Sequence, residues 1–179
     1  MRTRIVTGLL LAVCGWAQEY PKPEPDRFVN DFANQLPLEA VQSLEKKVRD
    51  YQRATGNEIG VAIVQSLNGQ SIDEYSQGLF RTWGVGRRDF NNGVLFVWAP
   101  KERQIRVHVG NGLEGVLTNA VASRIVLRVR DFFRQSKYEE GVNAAVDGII
   151  EAIGPTAAQS GPAAPNPDIS PPEEPLPFP

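Results

Sequence analysis

Residues Glu58 to Gln65 read E-I-G-V-A-I-V-Q, apolar through the centre with no polar residue at alternate positions. A strand with one wet face alternates, so this run predicts a strand covered on both faces, as in a parallel sheet sandwiched between helices. Val94 to Trp98 repeats the pattern. Two parallel strands need a crossover, and the intervening segment supplies one. Ser71-Ile72-Asp73-Glu74 has capping-box spacing, and Ile72, Tyr75, Leu79, Phe80 and Trp83 then line one helical face. The expected fold class is α/β, a three-layer α/β/α sandwich around a mixed, mostly parallel sheet.

The remaining elements follow from period and punctuation. Leu38, Val41, Leu44, Val48 and Tyr51 recur at helical spacing, with Pro37 suited to a first turn and Gly56 to the position past the end. Ala99 to Arg103 reads as a hairpin loop, after which Ile105, Val107 and Val109 alternate with Arg106 and His108. That return strand is antiparallel, with one wetter face. Val121, Ile125, Val129, Phe132 and Phe133 mark a third helix, and Val142, Ala145, Val146, Ile149, Ile150 and Ile153 a fourth. A short strand near Phe28 and Val29 precedes them all.

Proline placement bounds this unit. Nine of the fourteen prolines lie from Pro155 onward and three more at Pro21, Pro23 and Pro25. The expected organisation is a signal peptide over 1–17, a proline-rich linker over 18–26, one domain over 27–154 and a disordered tail over 155–179. The signal reading rests on Arg2 and Arg4 before the apolar run Ile5 to Val13, and on Gly15-Trp16-Ala17, which places cleavage after Ala17. Leu11-Ala12-Val13-Cys14 resembles a lipobox, but Val13 stands where a small residue is required. The expected location is periplasmic or secreted, with no transmembrane anchor once the signal is removed, because the apolar run is shorter than a bilayer span.

Composition excludes several chemistries. Cys14 is the single cysteine and His108 the single histidine. A chain starting at Gln18 therefore has no disulfide, cysteine nucleophile or cysteine-zinc site. The formal charge of -2 gives no electrostatic footprint for nucleic acid. Any metal would be a hard cation held by oxygens.

Gly110-Asn111-Gly112-Leu113-Glu114-Gly115 matches G-x-G-x-x-G, but its helix is followed by another helix instead of a parallel strand, so the dinucleotide context fails. Arg124, Arg128, Arg130 and Arg134 read as a solvated helix face, and His108 as a half-exposed strand residue. Trp83 and Trp98 fall in core registers, and their indole N–H groups require acceptors. The loop from Gly84 to Gly93, G-V-G-R-R-D-F-N-N-G, precedes a buried strand. The hairpin returns the chain to that strand's starting edge. Asp89, Asn91, Asn92, Glu114 and Asn119 are therefore expected to cluster as oxygen ligands for a hard cation, beside helix-start amides.

Val29-Asn30-Asp31-Phe32-Ala33, Gly56-Asn57-Glu58-Ile59-Gly60, Trp83-Gly84, Asn91-Asn92-Gly93-Val94-Leu95, Arg103, Arg106 and Val109-Gly110-Asn111-Gly112-Leu113-Glu114 occur in that order. In order and spacing they resemble the TPM domain family, which includes thylakoid-lumen phosphatase-like proteins, photosystem II repair factors and a receptor-accessory protein. The resemblance implies an α/β/α sandwich outside the cytoplasm and, for some members, Ca2+ binding or weak acid phosphatase activity. The family pattern continues L-T-D where this chain has Leu117-Thr118-Asn119, which removes one carboxylate. The leading expectation is an exported binding and accessory module with a weak Ca2+ site and an envelope or exported protein as its client. A calcium-dependent acid phosphatase of low activity and a purely scaffolding interaction domain stay open beside it, and no catalytic residue is assigned.

Overall fold

The computed structural model describes residues 19–86 and 90–154; the signal, Gln18, Asp89 and the proline-rich tail lie outside them. Four strands and four α-helices follow one another as β1 (Val29–Asp31), α1 (Leu38–Thr55), β2 (Glu58–Ile63), α2 (Ile72–Trp83), β3 (Gly93–Ala99), β4 (Gln104–Val109), α3 (Asn119–Arg134) and α4 (Tyr138–Ile153). A single 3-10 turn, Asn111–Leu113, joins β4 to α3. The sheet order is β1-β2-β3-β4, with β1, β2 and β3 parallel and β4 antiparallel.

Alternation along the buried strands sorts side chains into two cores. Ile59, Val61, Ile63, Val94, Phe96 and Trp98 face α1, α3 and α4. Ala62, Val64, Leu95, Val97 and Ala99 face Tyr75 and Leu79 of α2. The sandwich is thus asymmetric, with three helices on one face and one on the other. Both crossovers step the same way along the sheet, yet α1 and α2 cover opposite faces, so the two crossovers have opposite hands. One of them departs from the right-handed rule.

Local chemistry fixes each element. Ser71 accepts from the Glu74 N–H at 3.2 Å while the Glu74 carboxylate accepts from the Ser71 N–H at 3.2 Å, the capping box expected for α2. Glu45 of α1 accepts from the Phe28 and Val29 N–H groups, each at 2.9 Å, tying the short edge strand to its helix. The wetter face of β4 is shielded by α2: Arg106 Nε lies 3.0 Å from Asp73 Oδ1, and the His108 ring stacks 4.7 Å from Phe80.

Residues 19–24, within the expected proline-rich linker over 18–26, make contacts with the domain. Tyr20 meets Tyr75 edge-on at 5.2 Å, and Pro21 C=O accepts from the Trp83 indole N–H at 2.7 Å. Among the described residues α2 has no neighbouring helix on its face, and the N-terminal strap supplies cover there.

Candidate functional site

The amino ends of β2 and β3 meet the carboxyl end of β4, which brings residues 90–93 against the turn after Val109. Gly110 N–H donates to Gly93 C=O at 2.8 Å, and Gly112 N–H donates to Asn91 C=O at 3.2 Å. A Cβ at Gly110 would strike the Asn91 carbonyl, and one at Gly112 the Phe90 carbonyl, whereas Gly115 faces open space. The glycine pattern thus serves close backbone packing between two loops, which accounts for its presence without a dinucleotide.

Asn91 sits at the turn tip with φ of 46°, a left-handed conformation that asparagine tolerates. Asn92 is buried, and its amide donates to Gly56 C=O at 2.8 Å and to Asn57 Oδ1 at 3.4 Å. It splices the end of α1 to the start of β3. Glu114 follows the 3-10 turn on the surface. Asn119 opens α3 and lines a groove with Ile72, Asp73, Arg106 and Val107. Asn91 is therefore joined to the turn that precedes Glu114, the amide nitrogen of Asn92 is bonded to the scaffold, and Asn119 faces the α2 edge.

Sequence reasoning passed over Glu58. This residue begins β2, pairs in register with Gly93, and its N–H donates to Asn92 C=O at 3.0 Å. Its half-buried carboxyl is pushed above the usual carboxylate range by burial, partly offset by the Gly86 N–H that donates to it. The signal was present in the sequence as the one acidic residue heading an otherwise apolar strand. Among the described residues, no three His, Cys, Asp or Glu side chains gather at metal-binding spacing.

His108 offers no catalytic pair. Its pKa is held below the ordinary histidine value first by burial and then by the Arg106 and Arg81 cations, with Asp73 opposing.

The opposite end of the sheet carries a separate cleft of about 430 Å3. Arg103 comes from the β3–β4 hairpin, Arg130 and Arg134 from α3, and Trp98, Phe133 and Tyr138 supply an aromatic wall. The α3 arginines are all exposed, as the solvated-face reading expects, and they divide between grooves. Arg124 and Arg128 line another groove beside Glu151, Arg134 lines the rim of this cleft, and Arg130 lines both this cleft and the groove that holds Asp73 and Asn119.

The layers and strand order define an α/β/α sandwich of the kind that houses sites in its inter-strand loops. The family model described as the TPM domain matches residues 29–152, and the chain belongs to the TPM domain family. Solved structures agree. The N-terminal domain of a protein from P. gingivalis is 29% identical over 72% of this chain and 82% of its own, with a TM-score of 0.66. The N-terminal domain of the cg2496 protein from Corynebacterium glutamicum is 17% identical, with coverages of 84% and 95% and a TM-score of 0.58. The BA42 protein from Bizionia argentinensis is 16% identical, with coverages of 68% and 86% and a TM-score of 0.56. The last two share the fold. No curated protein matches the chain.

Proposed function

We propose that the protein is an exported binding and accessory module whose 84–93 loop, with the start of β2, forms a weak Ca2+ site. The observation that carries this reading is Glu58, a carboxylate half-buried beside the loop whose pKa burial raises, with no basic side chain among the described residues to offset it. A divalent cation would supply the missing charge and draw the carboxyl back to its ionised form. Asp89 would be the second carboxylate, with Asn91 and Glu114 adding oxygens and Asn119 a further amide at the α3 start. Asn92, whose amide nitrogen bonds Gly56 and Asn57, would add its amide oxygen. The basic, apolar N-terminal segment favours a periplasmic or secreted location, where millimolar Ca2+ suits a site with few charged ligands. The client would be an envelope or exported protein.

Calorimetric titration tests the site. Ca2+ is expected to bind with a dissociation constant of about 0.1 to 1 mM, and Glu58→Gln to weaken it by about tenfold, as for loss of one charged ligand. Unchanged affinity in Glu58→Gln would remove this residue from the site. Phosphomonoesterase activity that requires Ca2+ and is lost in Glu58→Gln would replace the accessory reading with the enzymatic one.

A further inference from the structure

We infer that the cleft at the carboxyl ends of β1 and β3 is a binding site for a small organic anion that carries an aromatic ring. It lies at the end of the sheet opposite the Ca2+ site and stands independently of that reading.

Three observations converge. The first is charge. Arg103, Arg130 and Arg134 reach the same cleft from two elements far apart in the chain, and its lining contains no carboxylate among the described residues. Only Arg134 is paired, to Asp131 at 2.7 Å on an exposed rim, whereas Arg103 and Arg130 have no ion-pair partner among the described residues. Guanidinium groups are planar forks matched to carboxylate and phosphate oxygens.

The second is the wall. Trp98 lies 4.2 Å from Phe133 and 5.2 Å from Tyr138, ring centre to ring centre, and Phe133 and Tyr138 are half-buried with edges left to the cleft. The Trp98 indole N–H, unlike that of Trp83, meets no protein acceptor among the described residues. Rings beside cations suit a flat ligand bearing negative charge. The volume is that of a small-molecule site, and the carboxyl ends of parallel strands are where such folds place ligands.

The third is backbone cost. Arg103 holds φ of 55° at the hairpin turn, where its N–H donates to Pro100 C=O at 3.2 Å. Glycine or asparagine would occupy that conformation with less strain. A long cation kept there is a side chain retained for what it reaches.

Phenyl phosphate is the probe for calorimetry on the whole protein, with benzoate, inorganic phosphate and benzyl alcohol as comparisons. Phenyl phosphate should bind about tenfold more tightly than inorganic phosphate or benzyl alcohol, because only it engages both cations and rings. Benzoate binding as tightly would support the site with a carboxylate as its anion, and weaker benzoate binding would support it with a phosphate ester. Arg130→Gln and Arg103→Gly should each weaken phenyl phosphate by about tenfold, while Arg128→Gln, on the same helix but in another groove, should leave it unchanged. Arg103→Gly relaxes its turn, so its melting temperature should be kept or raised and lost binding cannot be ascribed to unfolding. Absence of phenyl phosphate binding, or full affinity in the Arg103→Gly, Arg130→Gln double variant, would overturn the inference.

Discussion

Single residues carry opposite electrostatic signatures in this domain, and each has a pH consequence. Burial holds His108 below its ordinary pKa, so the folded protein takes up a proton less readily than the unfolded chain. Its stability contribution is full above the unfolded value of about 6.5 and declines as pH falls through that value towards the folded one. Denaturant midpoints measured between pH 7.5 and 5 should fall less steeply for His108→Gln than for the native chain. Glu58 behaves in the reverse sense. Its raised pKa means that stability is full below the unfolded value of about 4.3 and is lost as pH rises through the folded value. Without Ca2+, Glu58→Gln should therefore be more stable than the native chain at neutral pH and equal to it at acid pH. Arg103→Gly is expected to stabilise by about 0.5 kcal/mol, the relief of left-handed strain less the added unfolded-chain entropy. Urea denaturation measures that difference.

At the scale of elements, α2 is the layer most dependent on local devices, because it covers its face of the sheet with only the N-terminal strap beside it. Ser71→Ala should cost about 1 kcal/mol through loss of the capping box, and Tyr20→Ala about 1 kcal/mol through loss of the edge-on pair with Tyr75. Both are readable as lowered denaturation midpoints. A protein trimmed to residue 27 would lose this cover. The elements themselves were legible because α1, α2 and α4 keep the helical period in their buried residues, while β2 and β3 are unbroken apolar runs buried almost throughout. The strap was not legible. Its prolines read as a linker, and neither the Tyr20 contact nor the Trp83 hydrogen bond has a local sequence signature. The opposite hands of the two crossovers were hidden for a similar reason, since both core faces of β2 are equally apolar.

The whole molecule separates two kinds of chemistry at the two ends of one sheet. Oxygen-rich loops gather at the amino ends of β2 and β3, and arginines with aromatic rings at the carboxyl ends. Loop convergence at the first end was readable from topology, as the bonds between Gly110, Gly112 and residues 91–93 demonstrate. Individual ligands were harder to read. An asparagine that splices helix to strand looks the same in sequence as one that binds a metal, and only the structure shows the Asn92 amide nitrogen bonded to Gly56 and Asn57. The arginine cleft was invisible because Arg103 and Arg130 are distant in the chain and meet only after folding. If the Ca2+ site exists, ten times its dissociation constant of Ca2+ should stabilise the fold by about 1.4 kcal/mol. The most direct test of that site is a Ca2+ titration followed by amide chemical shifts. The account predicts saturable shifts confined to Glu58, the 84–93 loop, residues 110–114 and Asn119, all moved to about tenfold higher Ca2+ in Glu58→Gln. Absence of saturable shifts there, or shifts centred on the arginine cleft, would contradict it.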